Sequence, residues 1–119
     1  MKVDQMIEFQ RRFVRARAWD QFHNPKNLAL SLMVEAAELG EHFQWLTAEE
    51  SEAIGKSGKR KDIEDELADV LFYLLRLADR LDVDLEKAFW KKMRQNARKY
   101  PVRLARGTAV KYTKLHKKK

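Results

Sequence analysis

Residues 61–81 read KDIEDELADVLFYLLRLADRL, and this stretch decides the fold. Ile63, Leu67, Val70, Leu71, Leu74, Leu77 and Ala78 recur at steps of three and four, the period of a buried helix face. No Gly or Pro interrupts them, so a helix from about Lys61 to Leu81 burying these side chains is predicted. The same period continues on both sides. Upstream, Leu28, Leu32, Ala36, Leu39 and Phe43 mark a helix reaching about Trp45, opened by Asn24 as N-cap and Pro25 at the first helical position. A helix from about Asp4 to Trp19 precedes it, with Met6, Phe9, Phe13 and Ala16 on one face. Thr47-Ala48-Glu49-Glu50 has the form of a capping box opening a short helical turn, and Gly55 to Lys59 reads as a loop. Downstream, Asp82 to Asp84 form a turn. Asp84 caps a last helix reaching Tyr100, where Pro101 stops it.

No stretch alternates apolar and polar residues long enough for a strand. The expectation is an all-α protein, an up-down four-helix bundle joined by short loops. The 119 residues suffice for one domain, taken as 1–110, followed by a basic, flexible tail over 111–119. So many apolar stripes on so short a chain predict that a second copy covers some of them.

Composition removes several classes. At 45% hydrophobic and 36% charged residues, with few Gly and Pro, the chain is neither disordered nor collagen-like. It has no Cys, which excludes a disulfide framework and a thiolate metal site. No apolar run approaches the roughly 20 residues that span a bilayer, and the first residues lack a signal peptide's apolar core. A soluble cytoplasmic protein without a membrane partner is expected. The net charge of +7 is uneven: residues 91–119 carry twelve Lys or Arg and no Asp or Glu, which leaves −5 on residues 1–90. The basic end is either a solvated tail or an attractor of polyanions, and composition is compatible with both.

The informative anomaly is acidic. Glu35 and Glu38 are three apart, so they project from one helix face with Cβ atoms about 5–6 Å apart. Glu66 and Asp69 repeat the spacing within 61–81. Both pairs interrupt apolar runs. Neither has a Lys or Arg at i±4: Ser31, Leu39 and His42 flank the first, and Asp62, Val70 and Tyr73 the second. If the two helices pack antiparallel, four carboxylates converge in a half-buried cleft and require a counter-cation. Such hard oxygen ligands suit Mg²⁺ or Mn²⁺, and Mg²⁺ commonly shares itself with substrate phosphates. The competing reading is two exposed acidic faces.

Other motifs fail. A ferritin-like di-iron bundle needs Glu-x-x-His on two helices, but His42 lies four after Glu38 and residues 61–81 contain no His. Gly55-Lys56-Ser57 looks like the end of a phosphate-binding loop, yet position 50, where that motif needs Gly, is Glu. The Ser and His residues show no triad spacing.

Glu35-x-x-Glu38 followed by Glu66-x-x-Asp69 resembles the signature of the MazG-like all-alpha nucleotide pyrophosphohydrolases. The blocks Trp19-Asp20-Gln21-Phe22-His23, Phe43-Gln44-Trp45, Tyr73 and Lys92-Met93-x-x-Asn96-x-x-Lys99-Tyr100-Pro101 are similar to the dCTP pyrophosphatase branch. The resemblance covers roughly residues 5 to 113. It implies Mg²⁺-dependent hydrolysis of a nucleoside triphosphate, dCTP or a modified dCTP, to monophosphate and pyrophosphate. It also implies a house-cleaning role in an obligate homo-oligomer, a homotetramer (dimer of dimers) or a homodimer. Carried over by position, Glu35, Glu38, Glu66 and Asp69 would be metal ligands and the catalytic core. Trp19, Asp20, Gln21, Phe22, His23, Trp45 and Tyr73 match nucleotide contacts, and Gln10 falls where the branch can carry a His contact.

The chemistry is coherent physically. A divalent cation neutralises the triphosphate and acidifies water, and Glu41 or one of the four acids would be the general base for in-line attack. Lys92, Asn96 and Lys99 share a helix face and are candidates to hold phosphate oxygens, or form a solvated basic face. Trp19, Trp45 and Tyr73 would stack on a base or belong to the core. Among them Trp45, closing a helix beside a loop, is the strongest candidate. His23 would meet a base edge or serve as a capping residue. The alternative function is a non-enzymatic helical module binding nucleic acid through its basic C-terminus; the acidic remainder, which would repel DNA, counts against it. A regulatory partner sharing the bundle without the chemistry is a third reading.

Overall fold

The structure is a computed structural model that describes residues 2–115. Those residues form seven helices and no strand, in agreement with the all-α expectation. They are α1 (Lys2–Ala16), α2 (Pro25–Glu41), α3 (Ala48–Ala53), α4 (Arg60–Arg80), α5 (Leu85–Lys99), α6 (Val102–Ala105) and α7 (Tyr112–Leu115), with single 3₁₀ turns at Asp20–Phe22 and Ile54–Lys56. No described helix is long and apolar enough to cross a membrane. The chain divides into two compact units, the first ending at Asp82 and the second starting at Val83.

In the first unit α1 ends at Ala16, three residues before the predicted Trp19. Ala18 takes a left-handed conformation (φ 53°), its N–H donating to the Arg15 carbonyl at 3.0 Å and that of Trp19 to the Val14 carbonyl at 3.0 Å. This is a Schellman closure with Ala in place of Gly, and it turns Trp19 off the helix axis. Asn24 caps α2 as expected, its side chain accepting from the Asn27 N–H at 2.9 Å. The helix stops at Glu41 rather than Trp45, and residues 42–45 form turns. The capping box of α3 is complete: the Thr47 N–H donates to Glu50 Oε1 at 2.9 Å, and the Glu50 N–H to Thr47 Oγ1 at 3.1 Å.

Helices α2 and α4 form the main packing pair, with α1 laid against α4. Glu38 approaches Glu66 while Ser31 approaches Tyr73, so α2 and α4 run antiparallel. Val14, Leu28, Leu75 and Ala78 are the buried apolar side chains of this unit, beside the rings of Phe13, Trp19, His23 and Phe72, which meet edge-on except for the tilted Trp19–His23 pair, at centroid distances of 5.8–6.4 Å. The face predicted for α4 is corrected here. Leu67, Leu71 and Leu74 are exposed, Ile63, Val70 and Leu77 are half-buried, and Leu75 lies inside with Arg76 and Ala78. On α1 Met6, Phe9 and Ala16 are likewise exposed. Periodicity identifies an apolar stripe, whereas its coverage depends on what packs against it.

In the second unit Asp84 caps α5, accepting from the Lys87 N–H at 3.0 Å, and Pro101 follows the C-cap Tyr100. Gly107 turns the chain with φ 75°, where a side chain would be strained. Within the predicted tail, Tyr112–Leu115 form one helical turn, with Leu115 buried and the Tyr112 ring 6.0 Å from that of Tyr100. Residues 116–119 lie outside the described residues.

Candidate functional site

Antiparallel packing of α2 and α4 brings the two acidic pairs to one place. Glu35, Glu38 and Glu66 each offer a carboxylate oxygen within 4.8 Å of the other two. Asp69 stands outside this trio, yet close enough for its charge to act on Glu35. Glu35 and Glu66 are half-buried, Glu38 and Asp69 exposed. The Oε2 atoms of Glu35 and Glu66 are buried with no hydrogen-bond partner. Burial, then Glu38 and the charges of Asp69 and Glu66, push the Glu35 carboxyl up to about 7. Among the described residues no Lys or Arg pairs with any of the four; the nearest basic group is His42, whose Nε2 is 3.7 Å from Glu66 Oε1.

Crowded carboxylates oppose one another's ionisation, and buried oxygens without donors call for a partner. An all-oxygen donor set with unsatisfied lone pairs fits a hard divalent cation. These residues could hold one, with His42 beside it.

Two clefts flank the trio. One, of about 870 Å³, lies over α1 and α4; Met6, Phe9, Phe13, Trp19 and Phe72 give it apolar walls, and Gln10, Glu35 and Tyr73 supply polar groups. The other, of about 590 Å³, is bounded by Glu38, Glu41, His42, Trp45, Lys59 and Glu66. Thus the sequence candidates Gln10, Trp19 and Tyr73 fall on one side of the acids, Glu41 and Trp45 on the other. Trp45 is 87% exposed, an indole held out at a cleft rim rather than a core residue. Tyr73 is half-buried; burial and the negative charges of Glu35 and Asp69 raise its hydroxyl above its usual range, against a hydrogen bond with Ser31. It therefore remains a neutral donor.

The Trp19–His23 block is less uniform than its contiguity suggests. Gln21 is exposed and donates from Nε2 to the Ala18 carbonyl at 2.9 Å, which stabilises the turn. Phe22 is exposed and, with His23 and Tyr73, borders a third cleft of about 370 Å³. Asp20 and His23 face Arg76. In the second unit Lys92 is exposed, Asn96 half-buried, and the Lys99 ammonium sits 4.9 Å over the Tyr112 ring, a cation–π contact internal to that unit.

Sequence reasoning missed Arg76. It is 2% exposed, donates from Nε to His23 Nδ1 at 3.2 Å, and lies 3.5 Å from both Asp79 and Asp20 carboxylates. Asp79 also receives the Arg11 guanidinium, with Nε–Oδ2 at 2.9 Å. Burial, then Arg76, pull His23 below its ordinary value, so its ring is neutral with Nδ1 as acceptor. A signal existed: a lone Arg inside the apolar run Leu74 to Ala78, with Asp79 three residues on. His42 follows Glu38 by one helical turn and was visible from spacing, whereas Lys59, which borders the same cleft, carried no comparable signal because its placement depends on the chain's path around α3.

A family model described as MazG-like matches residues 30–115. dCTP pyrophosphatase 1 of Rattus norvegicus is 47% identical over 104 residues, covering 87% of this chain and 61% of the relative. The Homo sapiens protein of that name is 48% identical over 104 residues, with the same two coverages. The chain therefore spans about three fifths of the length of these curated relatives. A pyrophosphatase crystal structure from Archaeoglobus fulgidus superimposes with a TM-score of 0.78 at 40% identity, covering 85% of this chain and 94% of that one.

Proposed function

Because the chain belongs to the MazG-like family, we propose that it hydrolyses a nucleoside triphosphate, dCTP or a modified dCTP, to the monophosphate and pyrophosphate. The observation that carries this reading is the meeting of Glu35, Glu38 and Glu66 with two buried oxygens unpaired. The names of the relatives, dCTP pyrophosphatase and pyrophosphatase, support the same reaction.

In this reading the trio and Asp69 hold Mg²⁺, with Mn²⁺ as substitute. A divalent cation held there would neutralise triphosphate oxygens and make nearby water more acidic. Glu41, bordering the same cleft as Glu38 and Glu66, orients a water and accepts its proton. That water's oxygen bonds to the α-phosphorus in line, and the bond to the bridging oxygen breaks, releasing pyrophosphate. The apolar walls at Phe13, Trp19 and Phe72 receive the base and exclude water, while Trp45 closes over the nucleotide from its rim. Such a reaction suits cytoplasmic cleansing of the nucleotide pool.

Self-association, as homotetramer or homodimer, is part of the proposal. Phe9, Phe22, Leu30, Met33 and Val34 are more than half exposed in the first unit, as are Phe89, Trp90 and Val102 in the second. Exposed apolar surface of this extent supports an association face.

The test is pyrophosphate release from each deoxynucleoside triphosphate with and without Mg²⁺. Turnover of dCTP that vanishes on chelation is expected, and Glu38→Gln should lower it by about a hundredfold or more. Absence of turnover on every nucleotide would overturn the proposal, and full activity of Glu38→Gln would remove its metal centre.

A further inference from the structure

Gln10 is an unexplained polar group in the cleft over α1 and α4. It is 8% exposed, and its Nε2 donates to the Phe72 carbonyl oxygen at 3.3 Å. That carbonyl can only accept, so the amide nitrogen must face it and the amide cannot flip. Its other end, Oε1, is buried and unpartnered. Met6, Phe9, Phe13 and Leu75, which line the same cleft, have no donor to give it. Native folds seldom leave a buried carbonyl oxygen unpaired without a ligand or water to meet it.

We propose that Gln10 Oε1 is a specificity-determining acceptor that selects a nucleobase bearing an exocyclic amino group; this rests on the nucleotide-hydrolysing reading above. Cytosine offers an amino N–H where uracil offers a carbonyl oxygen. A carbonyl set against Oε1 leaves two acceptors facing one another, and because Phe72 holds the amide nitrogen, Gln10 cannot reverse its polarity to suit. The amide thus recognises a donor and rejects an acceptor at a buried point beside Met6, Phe9, Phe13 and Leu75.

The experiment compares kcat/KM for dCTP, dUTP and the pyrimidin-2-one deoxynucleoside triphosphate, which lacks only the amino group of cytosine. It uses the full chain with Mg²⁺, wild type and Gln10→Met. The wild type should prefer dCTP over both others by roughly tenfold to a hundredfold. Gln10→Met should bring the three within about threefold of one another, chiefly by losing dCTP turnover, with dUTP turnover in the same preparation reporting that the site is intact. A Gln10→Met enzyme that keeps the wild-type ratio would overturn the inference, as would a wild type that prefers dUTP. If Gln10→Met does not fold, the wild-type contrast between dCTP and the pyrimidinone decides alone: equal turnover overturns the inference. A wild type inactive on all nucleotides would instead sink the proposed function.

Discussion

Helix α4 carries two charged clusters of opposite character. Toward its start Glu66 meets Glu35 and Glu38, with Asp69 alongside; all are acids and no Lys or Arg of the described chain pairs with them. Toward its end Asp79 is shared by Arg11 and Arg76, and Arg76 is completed by His23 and Asp20. The chain as a whole is basic, so cations are plentiful, and one cluster is still left unneutralised. A closed set of partners explains a structural role by itself. An open set indicates that its partner comes from outside the chain.

The largest expected effect separates the clusters by activity. Glu66→Gln should reduce pyrophosphate release by two or more orders of magnitude. Its thermal midpoint in chelator should stay level or rise, since a like-charge repulsion is relieved. A fall in that midpoint would mean Glu66 is paired after all.

Breaking the other cluster should do the reverse. Arg76→Met leaves His23 Nδ1 without its donor and removes a buried partner of Asp79, costing roughly 3 kcal/mol in denaturant unfolding. The loss should appear equally with and without Mg²⁺. A neutral effect on stability would show that Arg11 suffices to hold Asp79.

A smaller effect concerns pH, where the clusters pull in opposite directions. The Glu35 carboxyl is raised in the folded protein from the ordinary 4.5 to about 7, so its stabilisation is complete below 4.5 and is lost as pH climbs to 7. Asp79 is lowered, chiefly by Arg11, and His23 by burial, so their contributions stand above their ordinary values and are lost as pH falls below them. In chelator, Glu35→Gln should abolish the loss of stability between pH 4.5 and 7 while leaving the acid-side loss in place. Denaturation midpoints across pH measure both; an unchanged slope in Glu35→Gln would refute the assignment.

The smallest expected change lies outside both clusters. Ala18→Gly relieves a left-handed Ala at the close of α1 and should add about 1 kcal/mol of stability. It should alter neither activity nor the pH profile, which makes it a control for the other three.

Much of this is legible in the sequence alone. The caps at Asn24, Thr47 and Asp84 act within three residues of themselves, so local spacing was enough to place those helix starts. The i,i+3 acids were legible for the same reason. Helix ends were harder: the left-handed Ala18 has no Gly to announce it. The buried faces were harder still, because Leu67, Leu71 and Leu74 share the period of a core stripe but point outward in the single chain.

What the sequence determined by itself was the existence of α1 to α5, though not of the short α6 and α7, and that two acidic pairs each lie on one helix face, since both follow from chemistry a few residues apart. Only the tertiary structure decided which faces meet. Arg76 reaches His23 across 53 positions and Gln10 reaches Phe72 across 62. Such pairings depend on how rigid helices stack, and on which apolar stripes this chain covers for itself, so no local pattern encodes them.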